Sequence, residues 1–326
     1  MNMIETQNLR KVYQSRQGNN RKMHMIEAVK GIDLQVKEGE TFGFLGPNGA
    51  GKTTTLRMLS TLIPPTSGEA CVAGYDLRKK AGEVRKHIGY VSQAGGTDNV
   101  STARENLMLQ ARLHGMGHRA AESRVKELIV ALELNSFADR VARTYSGGQR
   151  RRLDLALGMV HRPRLLFLDE PTTGLDPQSR AHLWEEVRKL QRDGTTVFLT
   201  THYLEEADIL ADRLAIIDDG QIVAEGTSQS LKQAIAGDVV TLTLRTSDGQ
   251  FQQAQTLLQS QPYVREVHPR NEQLQLYVER GEESLPAILR LLDEASLCVR
   301  TVALARPTLD DVFLSQTGRS LREANP

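Results

Sequence analysis

The chain has 326 residues, too many for one small module and suited to two domains. Lys and Arg total 41 against 40 Asp and Glu, a net charge of +1, so no long-range field favours nucleic acid or anionic lipid. Hydrophobic residues at 39% and charged residues at 25% exclude a disordered chain.

The elements follow in chain order. Ile32, Leu34 and Val36 alternate with polar residues, as on a half-buried strand. Gln14 to Lys22, polar and basic, precedes them and reads as a hairpin loop. Thr41 to Leu45 is a short buried strand, and a Gly-rich loop leads from it into helical sequence at Thr53 to Leu62. Ile88 to Val91 is a further strand; Arg104 to Leu113 and Glu122 to Leu132 are charge-rich helices; a third helix runs from about Arg150 to Val160. Leu165 to Leu168 and Val197 to Thr200 are unbroken apolar runs, the pattern of central strands covered on both faces. Arg213 to Asp218 and Gln221 to Ala224 flank Asp219-Gly220, a hairpin turn dipeptide.

Composition shifts at Ala236-Gly237, which sets the expected domains at 1–235 and 236–326. Beyond it the order is strand (Val239 to Leu244), helix (Phe251 to Gln259), strand (Val264 to His268), strand (Gln273 to Val278), helix (Ser284 to Ala295) and strand (Val299 to Ala303). That βαββαβ order is ferredoxin-like. A short helix at Thr308 to Ser315 follows, and Gly318 to Pro326 is a polar tail. Met1 to Glu5 lacks a basic-then-apolar leader, and no apolar run reaches the ~20 residues of a membrane-spanning helix, so work at a membrane requires a second chain. Cys71 and Cys298 have no metal-ligand spacing and fit a reducing compartment.

Gly46-Pro47-Asn48-Gly49-Ala50-Gly51-Lys52-Thr53 fits G-x-x-x-x-G-K-[ST] between a strand and a helix. Its glycines let backbone N–H groups converge on an anion, and the helix start adds its positive end. Lys52 can reach the β- and γ-phosphates and Thr53 can coordinate Mg²⁺. Leu165 to Glu170 is an apolar strand ending in two carboxylates. Asp169 is placed for Mg²⁺ and Glu170 for polarising a water in line with the γ-phosphate. Tyr145-Ser146-Gly147-Gly148-Gln149 opens a helix; it is either an ordinary N-cap or a second phosphate-binding turn. As the latter it calls for a two-fold homodimer, each nucleotide lying between the loop of one copy and the turn of the other. His114 and His118 are four apart, but Gly115 and Gly117 argue against a helical metal pair. Arg150-Arg151-Arg152 reads as a solvated or subunit-facing surface, with no nucleic acid partner implied.

Gly46 to Thr54, Tyr145 to Gln149, Leu165 to Glu170, Gly174-Leu175-Asp176 and His202 together resemble the nucleotide-binding subunits of ATP-binding-cassette transporters, over roughly residues 4 to 230. Tyr145 departs from that pattern, which usually has leucine; it is expected to pack on the helical subdomain. The resemblance implies a phosphate-loop α/β core with an antiparallel β subdomain and a helical subdomain at about 94–160. It also implies ATP with Mg²⁺, a homodimer, and an integral-membrane permease met by the helical subdomain. It assigns Tyr13 to adenine stacking, Thr54 to the phosphate loop, Gln93 to Mg²⁺ or the lytic water, His202 to the γ-phosphate and Asp176 to the dimer interface. Lys52, Gln93, Glu170 and His202 are then the catalytic set.

Arg306-Pro307-Thr308-Leu309-Asp310-Asp311-Val312-Phe313-Leu314, followed by Thr317-Gly318, is similar to the terminal signature of the daunorubicin-resistance type within that family. This resemblance implies an ATPase at the cytoplasmic face of the membrane that powers export of a drug, antibiotic or lipid-like substrate. The alternatives are polysaccharide as cargo, or a soluble cassette in translation or DNA repair. Soluble cassettes usually carry tandem repeats, zinc cysteines or long coiled coils, none of which this sequence has.

Overall fold

The computed structural model describes residues 1–16, 23–235, 237–244, 248–270, 273–305, 307–319 and 321. Two compact units divide between Thr227 and Ser228, eight residues before the composition shift. Residues 17–22 of the expected hairpin loop, Ala236, Arg306 and all but Leu321 of 320–326 lie outside the described residues.

In the first unit, β1 (Asn2–Arg16) and β2 (Met23–Lys37) pair antiparallel. Ile32, Leu34 and Val36 are buried, as their alternation requires. β3 (Thr41–Leu45) is buried throughout and runs through the loop into α1 (Lys52–Leu59). The helix stops short of the expected Leu62: Thr61 turns left-handed (φ 63°), and Pro64-Pro65 follow. β4 (Ser67–Val72) and β5 (Tyr75–Asp76) complete a four-stranded antiparallel sheet ordered β2-β1-β4-β5.

Helix α2 (Ala81–His87) leads to β6 (Ile88–Val91). α3 (Ala103–Leu113) opens on a capping box of Thr102 and Glu105. α4 (His118–Ala131) starts four residues before the expected Glu122, and α5 (Gly147–Met159) three before Arg150. Then come β7 (Leu165–Asp169), α6 (Pro177–Arg192), β8 (Thr196–Thr201), α7 (Leu204–Leu210), β9 (Arg213–Asp218) and β10 (Gln221–Gly226). The main sheet is ordered β10-β9-β3-β8-β7-β6, parallel except for the β9–β10 hairpin.

Alternate side chains of its central strands enter two separate cores. Phe42, Phe44, Phe167 and Phe198 pack toward the antiparallel sheet, whereas Leu166, Leu168, Val197 and Leu199 pack among the helices. Coverage on both faces is why these strands read as unbroken apolar runs.

The second unit begins with α8 (Ser228–Ile235), then β11 (Val239–Leu244), α9 (Asp248–Gln259), β12 (Val264–Arg270), β13 (Gln273–Val278), α10 (Gly281–Glu294), β14 (Val299–Ala305) and α11 (Leu309–Thr317). Its sheet is antiparallel in the order β12-β13-β11-β14, the ferredoxin-like arrangement expected from the element order. Val240, Leu242, Leu274, Leu276, Ile288 and Leu292 form its core. Thr308 caps α11 through Asp311 N, and Leu309, Val312 and Phe313 are the buried stripe of that helix.

Candidate functional site

The site starts from the geometry of the loop. Gly51 has φ 103° and a Cβ there would lie 2.5 Å from Ala28 O, so only glycine lets the loop close onto β2. The N–H groups of the first turn of α1, Lys52 to Thr54, have no intrahelical acceptor and form an anion-binding start. The loop holds Lys52 in a buried position, its Nζ donating to Gly46 O at 2.8 Å and Pro47 O at 3.0 Å. Burial lowers the Lys52 ammonium below its usual range, and the charge of Glu170, with Nζ 3.4 Å from Oε1, opposes that shift.

Strand β7 delivers the two acids because its five residues are apolar up to its last position. Asp169 Oδ1 accepts from Thr53 Oγ1 at 3.1 Å and Thr200 Oγ1 at 2.7 Å. Thr53 and Asp169 thus present adjacent hard oxygens, the donor type a small divalent cation takes. Glu170 follows with φ 46°, a left-handed backbone held by its own N–H donating to Thr200 O and Oγ1, each at 3.1 Å. Gln93 Nε2 donates to Glu170 Oε2 at 3.1 Å, and Thr173 Oγ1 donates to the same oxygen at 3.3 Å. His202 Nδ1 lies 3.3 Å from that oxygen, too poorly aligned to count as a hydrogen bond. Burial pushes the Glu170 carboxyl up, but the His202 ring and the Lys52 ammonium outweigh it and hold the group below its ordinary value. It is therefore an anion at neutral pH, in a position to accept a proton.

The structure gathers Lys52, Thr53, Gln93, Asp169, Glu170 and His202 into this cluster. Ser146 and Asp176 stand at a different place, together. Ser146 Oγ accepts from Gln149 N at 3.2 Å, and Gln149 Oε1 accepts from Ser146 N at 3.1 Å, so the turn is a capping box. Gly148 packs against Ser179, whose N–H donates the N-cap bond to Asp176 Oδ1 at 2.9 Å. Tyr145 replaces leucine without loosening the turn: its hydroxyl donates to Phe137 O at 2.7 Å and accepts from Ala103 N at 3.3 Å, and its ring meets Phe137 edge-on. Tyr13 pairs across β1–β2 with Ile26, two residues from the Ala28 carbonyl that abuts Gly51, and its ring is 38% exposed.

One sequence expectation is corrected. Arg151, read with its neighbours as a solvated run, is buried beneath the site. His114 and His118 straddle the break between α3 and α4; His114 stacks instead on His161, centroids 3.8 Å apart. Burial, then the adjacent His114, lowers His161 to about 4. Among the described residues no group of three or more His, Cys, Asp or Glu assembles a metal site. Sequence reasoning missed Thr200, Arg151, Asp154 and Glu206. The signal for Asp154 was the nearly all-apolar run of the helix after residue 152, which leaves a charged residue there no route to water; Arg151 gave none, standing between Arg150 and Arg152.

A parallel sheet, a phosphate loop set against an Asp-Glu strand end, and a separate Ser-Gly-Gly turn on the same chain define a nucleotide-binding cassette ATPase. Residues 29–173 match the family model described as ABC transporter, and residues 226–317 match the "ATP-binding protein DrrA1-3-like, C-terminal domain". The chain is 46% identical over 300 residues to "Daunorubicin resistance ATP-binding protein DrrA3" of Streptomyces coeruleorubidus, 91% of this chain and 94% of that protein. It is 36% identical over 325 residues to "Linearmycin resistance ATP-binding protein LnrL" of Bacillus subtilis (strain 168), 98% of this chain and all of that one. The dimeric ATP-binding cassette MJ0796 in its post-hydrolysis state with ADP and Pi superposes with TM-score 0.62 at 28% identity, covering 69% of this chain and 98% of that one. The chain belongs to the ABC transporter family, as an ATP-binding ATPase subunit of the daunorubicin-resistance type.

Proposed function

We propose that this ATPase works as a homodimer that powers export of a drug, antibiotic or lipid-like compound through a separate integral-membrane permease, bound to the permease at the cytoplasmic face. The observation that carries the reading is the division of the site within one chain: Lys52, Gln93 and Glu170 converge, while Ser146 bonds Gln149 and Asp176 bonds Ser179. A second copy supplies that missing half to each nucleotide, in keeping with the dimeric cassette MJ0796. The cargo class follows from the relatives, which are daunorubicin and linearmycin resistance proteins.

In this reading the N–H groups of the loop bind the phosphates of ATP, and Lys52 turns from the Gly46 and Pro47 carbonyls to a γ-phosphate oxygen. Thr53 and Asp169 would hold Mg²⁺, which would supply positive charge to the phosphoryl oxygens. With Lys52 engaged, the carboxylate of Glu170 accepts the proton of the attacking water, oriented by Gln93, and His202 meets the γ-phosphate. Tyr13 offers its exposed ring to the adenine. Among the described residues no helix is long and apolar enough to cross a membrane; in this reading the spanning belongs to the permease. A groove of about 430 Å³, lined by Leu62, Tyr90, Ser92, Gln110, His114 and Leu157, lies where the helical subdomain meets the core and supports docking of the permease there.

Glu170→Gln should slow hydrolysis by ~10²–10⁴ with ATP still bound, and should accumulate an ATP-dependent dimer in size-exclusion chromatography. Parental hydrolysis would reject Glu170 as base, and a chain that stays monomeric with ATP would reject the shared site. Lys52→Ala should weaken ATP affinity itself.

A further inference from the structure

Helix α5 starts at the Ser146 turn and carries two charged side chains inward: Arg151 is 7% exposed and Asp154 is 5% exposed. Neither belongs to the cluster at Lys52, yet each binds backbone that does. Arg151 Nε donates to Pro171 O at 2.7 Å and Nη2 to Asp169 O at 3.2 Å, so one guanidinium holds the carbonyls on both sides of Glu170. Its Nη1 donates at 2.7 Å to the carbonyl of Ser92, the residue before Gln93. Beyond Gln93, Asp154 Oδ1 accepts from Gly96 N at 2.9 Å and Thr97 Oγ1 at 2.7 Å. Gly95 permits the approach: it has φ 78°, and a Cβ there would lie 2.7 Å from Asp154 Oδ2.

Burying a guanidinium and a carboxylate is unfavourable unless their polar atoms are used, and an apolar pair would pack this helix without that desolvation. Here the donors are used on two catalytic segments at once, which only the planar fork of arginine can reach. Glu170 also needs outside support, because a glutamate keeps φ 46° only where its surroundings over-determine it.

We propose that Arg151 and Asp154 are positioning residues that fasten Gln93 and Glu170 to the helix of the Ser146 turn, so that displacement of this helix moves base and glutamine together. A phosphate met by the turn is thereby felt at the hydrolytic centre of the same chain. The proposal rests on Glu170 being the base.

The test uses the purified full chain, with kcat and KM for ATP measured alongside binding of a fluorescent ATP analogue. Arg151→Lys keeps the charge and loses the fork; kcat should fall on the order of 10²-fold with KM and analogue binding unchanged. Asp154→Ala should show the same split, and Asp154→Asn, which keeps the Oδ1 acceptor, should restore kcat. In the Glu170→Gln background Arg151→Lys should lower the residual rate no further, since both act on one step. Parental kcat in Arg151→Lys, or the same fold-loss with and without Glu170, overturns the clamp. Should Arg151→Lys fail to fold, the Asp154 pair decides: parental kcat in Asp154→Ala, or no rescue by Asp154→Asn, overturns it. Parental hydrolysis by Glu170→Gln alone instead removes the base on which the proposal stands, and is read first.

Discussion

At the scale of single residues, the site is a balance among buried charges. Lys52 and Glu170 moderate one another within a pocket that neither would occupy alone, and the left-handed backbone of Glu170 adds roughly 1–2 kcal/mol of strain that Thr200 and the surrounding carbonyl contacts must offset. Glu206 is a further buried acid. It is fully buried, accepts from Trp184 Nε1 at 3.3 Å through Oε1, and its Oε2 finds no partner. Burial raises its carboxyl above the ordinary value, more than the contacts to Thr201, Thr172 and Trp184 lower it. The folded chain therefore keeps a proton that the unfolded chain releases above about pH 4.3. Its stabilising effect is complete below that pH and is lost as pH rises through the folded value. Glu206→Gln, which has no proton to lose, should melt higher than the parent at pH 8, with the advantage fading toward pH 4 in a thermal series. An equal difference at all pH values would show that folding does not raise the Glu206 carboxyl.

At the scale of elements, the helix ends hold the functional turns. Ser146 and Thr102 cap α5 and α3 with reciprocal bonds, and Asp176 caps α6. The hydroxyl of Tyr145 joins two of these ends by bonding Phe137 O and Ala103 N. Tyr145→Phe leaves the Ala103 N–H unpaired, while Phe137 O keeps the N–H of Arg140 at 3.0 Å, and should lower stability by about 1–3 kcal/mol, read from the denaturant midpoint. A shift below about 0.5 kcal/mol would mean that water replaces the hydroxyl. Cap residues and turn dipeptides were visible in sequence; the hydroxyl's partners were not, because they lie 8 and 42 residues away.

At the scale of the molecule, the proposed machine needs two contacts, with a second copy and with a permease. The permease face can be tested without touching the ATP site. Leu62 lines the groove and Leu113 precedes its His114; they stand 55% and 73% exposed and make no part of the catalytic cluster. Leu62→Glu with Leu113→Glu should abolish co-purification with the permease while the isolated chain hydrolyses ATP as before, since two charges cannot enter an apolar contact without heavy desolvation. Retained co-purification would move the docking surface elsewhere.

Sequence alone determined the parts that depend on local order: the phosphate loop, the strand ending in Asp169-Glu170, the Ser146 turn and the βαββαβ order of the second unit. In each, spacing along the chain is itself the physical requirement. Tertiary structure alone decided which charges are interior. Arg151 looked like its neighbours Arg150 and Arg152, and only the packing of α5 against β6 and β7 sets it under the carbonyls that flank Glu170. Burial is a property of what surrounds a residue, and those surroundings come from segments far apart in the chain.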